Sequence, residues 1–224
     1  MSILDKIIKV DFPVEQYVPR VTEKKQIVLH HTVSPSNSVK GDIATWLRDK
    51  KRIATCMIID EDGTPFQCFS SKYWAWHLGI KKSVFTKLGL KYELLDDNAI
   101  GIEIDSAGGL TKKGGDWYDV YNHKLNDEDV VEYPNGYRGY YAFQKYTDKQ
   151  IETVRELLIF WGKRYNIPLD YNEDMWDVSI NALTGKKGIW SHSSYRKDKS
   201  DIHPQSELID MLKSLSTYYG TPNV

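Results

Sequence analysis

A chain of 224 residues, 41% of them hydrophobic, can bury one sizeable core, and nothing in that length demands a second domain. Its 30 basic and 31 acidic side chains leave a formal charge of −1 and are interspersed rather than blocked, which removes the electrostatic case for a nucleic-acid partner. The opening run to Pro13 lacks the continuous apolar stretch and small-residue cleavage site of a secretory leader, and no later run is apolar enough to span a bilayer. We therefore expect a protein made in a cytoplasm without a signal peptide and not inserted in a membrane.

In chain order, Ile27 to His31 reads as a strand and Asp42 to Lys51 as a helix, with Asp42 as N-cap and Ile43, Trp46 and Leu47 on one face. Thr55 to Asp60 and Phe66 to Ser70 pair as a hairpin around Asp62-Gly63. If those two residues form the loop, Glu61 faces Thr64 and Cys56 opposes Phe69, so the cysteines Cys56 and Cys68 fall on opposite faces and stay free thiols. Ala99 to Asp105 is a further strand, apolar until its carboxylates. Residues 110–145, rich in Gly, Asp, Asn and Tyr, read as an insertion forming a hairpin or ordered loop beside a cleft. Thr147 and Gln150 have capping-box spacing at the head of a helix whose stripe is Ile151, Val154, Leu157, Leu158 and Trp161. Ile189 to Ser191 is a short strand delivering His192, and Pro204 opens a last helix that turns Leu208, Ile209, Met211, Leu212 and Leu215 inward. The alternation predicts an α/β fold, one domain with a central mixed sheet flanked by helices.

Two segments carry candidate metal donors. His30 ends a strand-like run, where a side chain is held rigidly towards a cleft. The segment from His192 to Asp201 is a ten-residue return that can bring both residues to one ion and aim Lys199 at the same place. No short metal motif such as His-Glu-x-x-His is present. His31, next to His30 in an extended strand, points to the other face and should not bind the ion. His123 and His203 read as surface or capping residues. Glu103 and Asp105 share a face, so strand periodicity does not choose between them as a catalytic carboxylate. Seven Trp and fifteen Tyr offer flat apolar platforms of the kind that sugars stack on, although packing accounts for most of them.

The segments IVLHHTVSPS, CMIIDEDGTPFQCF, AWHLG, NAIGIEIDSAGG and WSHSSYRKDKSDIHP resemble, in order and spacing, the zinc N-acetylmuramoyl-L-alanine amidases, the family that includes peptidoglycan recognition proteins and phage amidase lysins. The resemblance covers residues 25–215. It implies one Zn²⁺ in a surface cleft held by His30, His192 and Asp201, and hydrolysis of the amide between the lactyl carbonyl of N-acetylmuramic acid and L-alanine. It favours Glu103 as the carboxylate that moves the water's proton. It places Lys199 beside the developing oxyanion, and Trp76 and His77 at the substrate. Where some relatives place a catalytic tyrosine, this chain has Thr55, which increases the demand on Glu103. The expected partner is peptidoglycan or a muropeptide, met by a monomer. The role is that of a phage endolysin or bacterial wall-lytic amidase, which a separate protein would release to the wall. The alternatives are a cytoplasmic muropeptide-recycling amidase or a non-catalytic peptidoglycan binder on the same fold. The donor set, with Glu103 and Lys199, favours catalysis.

Overall fold

The computed structural model describes residues 2–49 and 51–216. Helix α1 (Ile3–Lys6) and strand β1 (Ile8–Lys9) open the chain, followed by β2 (Gln26–His31), α2 (Val39–Arg48), β3 (Met57–Ile59), β4 (Pro65–Gln67) and α3 (Lys82–Lys87). Next come β5 (Ala99–Ile104), β6 (Thr111–Lys113), β7 (Asp116–Tyr118), β8 (Val130–Tyr137) and β9 (Tyr140–Gln144). The chain continues through α4 (Asp148–Tyr165), α5 (Ile180–Leu183), β10 (Gly188–Ser191) and α6 (Ser206–Leu215).

The central sheet has the order β1-β4-β3-β5-β2-β10. Only β3 and β4 run antiparallel; the other neighbours are parallel, so the sheet is mixed, as the sequence predicts. Every residue of β2 is buried, which is why its centre, Ile27 to Leu29, reads as a continuous apolar run rather than an alternating one. In the β2–β5 ladder His30 pairs with Glu103, and in the β10–β2 ladder Ser191 pairs with Leu29. Three parallel strands thus bring His30, Glu103 and His192 to neighbouring carboxyl ends, the usual place for a site in an open α/β sheet.

Helix α4 starts where its capping box predicts: the Thr147 hydroxyl accepts the Gln150 N–H and the Gln150 side chain accepts the Thr147 N–H. Ile151, Val154, Leu157, Leu158 and Trp161 are buried in the single large core. Each such side chain, fully buried, contributes roughly 1.5–3 kcal/mol by removal from water.

Several boundaries differ from the sequence reading. Helix α2 begins at Val39 with Ser38 at its cap, and ends at Arg48. Asp42 is one turn inside, because its carboxylate accepts the Ser34 and Ser38 hydroxyls. Leu47 is exposed and Val39 takes its expected place in the core. Helix α6 begins at Ser206 behind the cap residue Gln205, so Pro204 lies outside it; Gln205 holds the strand end instead, exchanging side-chain hydrogen bonds with the Tyr146 backbone.

The β3–β4 turn also differs. Asp60 N–H donates to the Thr64 carbonyl, leaving the three residues Glu61 to Gly63 as the loop, with Gly63 at φ +84°. This odd-length loop shifts the register, and Cys56 faces Cys68, whose N–H donates to the Cys56 carbonyl at 3.0 Å. The extra residue is fixed by helix α4: Thr153 donates to the Gly63 carbonyl, and a Cβ on Gly63 would lie 2.8 Å from the Lys149 carbonyl oxygen. Both thiols are nevertheless free and buried.

Residues 110–145 form two hairpins, β6–β7 and β8–β9, around a small core of Ala107, Leu110, Trp117, Leu125 and Ala142. His203 is not a surface residue. It is fully buried, stacked on Tyr146 and Phe143, with Nδ1 against the Tyr133 hydroxyl and Nε2 against the Gln144 carbonyl. His123 is exposed and pairs with Asp119, in keeping with a surface role.

Candidate metal centre and active site

His30 leaves the end of β2, His192 follows β10, and Asp201 closes the return that starts at His192. Their atoms form a small triangle: His30 Nδ1 to His192 Nδ1 is 3.0 Å, His30 Nδ1 to Asp201 Oδ2 is 3.1 Å, and His192 Nδ1 to Asp201 Oδ2 is 2.8 Å. All three residues are buried, and among the described residues they form the one group of three or more His, Cys, Asp or Glu side chains close enough to share an ion.

The far nitrogens decide the protonation. His192 Nε2 lies 2.9 Å from the Leu78 carbonyl, which only accepts, so Nε2 carries the proton. The 77–78 backbone is in turn fixed by Asp96, whose Oδ1 accepts the N–H groups of both His77 and Leu78. His30 Nε2 lies 2.9 Å from His77 Nδ1 and donates there when His30 Nδ1 faces the triangle as an acceptor. Two imidazole lone pairs and a carboxylate oxygen then converge within about 3 Å, an arrangement that repels itself unless a cation lies among them.

Burial, with the His192 charge, lowers the His30 pKa to about 4, which keeps it in the neutral form a metal needs. Burial works to raise Asp201, but the imidazoles of His192 and His30, through charge and hydrogen bonds, carry it well below the usual carboxylate range. The donor set therefore fits a divalent cation.

The triangle lines a cavity of about 190 Å³ that also contains His77, Glu103 and Lys199. Glu103 shares a strand face with His30, and its Oε2 is buried without a hydrogen-bond partner. Burial first, and the Asp201 charge second, raise the Glu103 pKa well above its usual value, while Lys199 works to lower it. A buried carboxyl with an unpartnered oxygen at the edge of a cavity is the kind of group that takes and returns a proton.

Asp105, whose pKa burial and the Glu61 and Asp42 charges raise to about 7, is engaged by the loop after β2. Its Oδ1 accepts from Thr32 and Ser34 hydroxyls and its Oδ2 accepts the Ser38 N–H, tying the β2–α2 loop to β5. Strand periodicity leaves the two carboxylates equal; the loop after β2 separates them. His31 turns its Nδ1 to the Tyr146 hydroxyl at 2.8 Å, away from the donor triangle, as alternation requires. His77 contacts His30 and lines the cavity, with its own Nε2 lacking a partner. Burial, followed by the His30 charge, lowers its pKa well below the usual value. Gly101 makes room for it: a Cβ there would sit 2.7 Å from Thr55 Cγ2 and 3.1 Å from His77 Nδ1. Thr55 spends its hydroxyl on the Met57 carbonyl.

Trp76 does not line the cavity. It is 40% exposed, packs edge-on against Trp74 and bridges to Ile53, which does line it. His31 and Thr32 also border the cavity, and Val33, Trp46, Ile53 and Ala54, which were not legible as site residues, complete the wall. Val33 and Ile53 are 38% and 48% exposed, so the cavity opens to the surface between them. Nothing in the sequence marks these residues or the Leu78 carbonyl, because apolar walls and backbone acceptors have no residue-type signature.

An α/β domain with three convergent donors at the strand ends, beside an open cavity, is an architecture that could hold one metal ion. Residues 20–204 match the family described as N-acetylmuramoyl-L-alanine amidase, and the chain belongs to that family. It is an amidase of peptidoglycan. No curated protein matches the chain. Among solved structures, a mutant endolysin from Bacillus subtilis is similar at 14% identity and TM-score 0.54, covering 94% of this chain and 97% of that one. A mutant of PlyL is similar at 16% identity and TM-score 0.53, covering 93% and 98%. The Staphylococcus aureus hydrolase AmiA, in complex with its ligand, is similar at 12% identity and TM-score 0.52, covering 94% and 82%. These likenesses speak to the fold, which they share with the chain over nearly its whole length.

Proposed function

We propose that the chain is a zinc-dependent hydrolase of the amide between N-acetylmuramic acid and L-alanine, acting as a lysin on the cell wall. The observation that carries the reading is the convergence of His30 Nδ1, His192 Nδ1 and Asp201 Oδ2, with both Nε2 atoms engaged elsewhere. Two imidazoles and one carboxylate suit Zn²⁺, and bound there it supplies a Lewis acid for the scissile carbonyl and lowers a water's pKa from 15.7 to about 7.

The chain's own residues do the rest. The Glu103 carboxylate takes the proton of the attacking water and delivers a proton to the leaving L-alanine amine, which would otherwise depart as an amide anion. The Lys199 ammonium stabilises the oxyanion; a fixed donor in such a site contributes about 2.7–4 kcal/mol to the transition state. His77 holds the proton on His30 Nε2 and so keeps Nδ1 free for the ion. Trp76, exposed and bridged through its backbone to Ile53 of the cavity wall, offers a ring on which a sugar can stack.

A non-catalytic peptidoglycan binder would need neither the free Glu103 carboxylate nor the donor triangle, and both are present. We take the whole chain as one catalytic domain, with residues 110–145 as an insertion into its 25–215 core, working as a monomer. Purified protein should carry about one zinc per chain, and digestion of peptidoglycan should release new L-alanine amino termini without new reducing sugar ends. Reducing ends in their place would make the chain a glycosidase. Faster turnover of soluble anhydro-muropeptide than of intact sacculi would make it a recycling enzyme rather than a lysin.

A further inference from the structure

The return from His192 to Asp201 carries a metal donor at each end and Lys199 between them. Inside the return, Ser193 ties its arms: its N–H donates to the Asp201 carbonyl at 3.1 Å and its hydroxyl to the Lys199 carbonyl at 3.2 Å. Ser194 is also held from outside, its hydroxyl donating to the Met175 carbonyl and its carbonyl accepting the Ser179 N–H, and a further set of anchors comes from the two-residue turn between β8 and β9. Arg138 donates through Nη1 to the Lys197 carbonyl at 3.1 Å, at the apex of the return. Through Nη2 it reaches the Ser193 carbonyl at 3.3 Å, the Trp176 carbonyl at 3.2 Å and Asp177 Oδ1 at 2.8 Å. The neighbouring Tyr137 hydroxyl lies 3.1 Å from the Ile202 carbonyl, just past the donor Asp201, and 3.3 Å from Ser193 Oγ. The Arg138 side chain is only 11% exposed.

The backbone of this turn makes the choice of arginine informative. Tyr137 pairs with Tyr140, so Arg138 and Gly139 form the whole turn, and both have positive φ, +49° and +90°. Such a turn is best served by Asn-Gly, and a long side chain at its first position is strained. What arginine adds is reach: a planar fork that addresses carbonyls on both sides at once, which the point charge of lysine does not reproduce.

We propose that Arg138, assisted by Tyr137, is a positioning residue that clamps the 193–202 return, and so sets Asp201 and Lys199 against His30 and His192. This gives the 110–145 segment a part in the metal site, and it rests on the zinc reading above. The test is Arg138→Asn in the full chain, a change that relieves the turn while removing the fork. Metal-free Arg138→Asn should melt at or above the wild-type temperature. Its zinc dissociation constant, measured by chelator competition, should rise about 10- to 100-fold, the usual effect of removing support from a metal ligand. With zinc saturating, kcat should fall while KM holds, and Arg138→Lys should recover only part of the loss. Amide exchange over residues 193–202 in the metal-free protein should quicken. Unchanged exchange and zinc affinity in Arg138→Asn overturn the clamp, as does a loss of affinity that merely follows a lower melting temperature. Wild-type protein that takes up no zinc fails the metal reading instead, and quickened exchange in the variant would still support the clamp.

Discussion

Replacing Glu103 by Gln separates the chemistry from the fold. The two side chains have nearly the same volume, and Glu103 Oε2 has no hydrogen-bond partner, so the exchange breaks no bond at that atom. What it removes is the proton acceptor. Loss of a positioned general base costs about 10²- to 10⁴-fold in rate, or about 2.7–5.4 kcal/mol at 1.36 kcal/mol per decade. Stability should move the opposite way. Burial and the Asp201 charge raise the Glu103 pKa well above its usual 4.5, so in metal-free protein the folded state holds a proton that the unfolded state has released. Stability is then full below the unfolded value and falls as pH rises from there through the folded pKa. Gln pays no such penalty. Metal-free Glu103→Gln should therefore melt higher than wild type at neutral pH and converge with it near pH 4, while zinc content stays at about one. Turnover on purified muropeptide, zinc content and melting from pH 4 to 8 would be measured on one preparation. Glu103→Gln turning over within tenfold of wild type, with Asp105→Asn falling, would show that the proton is moved by the other carboxylate.

The two adjacent histidines should part company: His30→Ala should lose its zinc, whereas His31→Ala should keep it and lose about 1–3 kcal/mol of stability, because the buried Tyr146 hydroxyl is left without its acceptor. Equal metal loss from both would show that the donor triangle is misassigned. Gly101→Ala places a methyl 2.7 Å from Thr55 Cγ2 and 3.1 Å from His77 Nδ1, and overpacking of that kind costs about 1–3 kcal/mol. The melting temperature should fall by about 4–8 °C for a cost near 2 kcal/mol, and an unshifted melt would mean that the strand yields at no cost.

The sequence alone determined the features whose cause is local. Helix α4 was legible because its capping box and apolar stripe are both written within one segment. Strands β2 and β5 were legible because the stretches buried on both faces, Ile27 to Leu29 and Ala99 to Ile102, carry no polar side chain. The candidate donors His30, His192 and Asp201, which the fold brings within hydrogen-bond distance of one another, were named through family motifs. Tertiary structure decided the rest, because the deciding partners lie far away in the chain. The β3–β4 register follows from Thr153 and Lys149 of α4 closing on Gly63, not from Asp62-Gly63 itself. His203 is buried because Tyr133, Phe143 and Tyr146 come to it across the fold. Glu103 is separated from Asp105 only by the β2–α2 loop that occupies the latter. The tautomer that turns His192 Nδ1 towards Asp201 is set by the Leu78 carbonyl, and His30 Nε2 meets His77; neither partner has a fixed spacing from the donors. Residue type and spacing record what a segment can offer, and which atom faces which partner is settled only when the sheet brings residues 30, 103 and 192 together and the chain returns at 201.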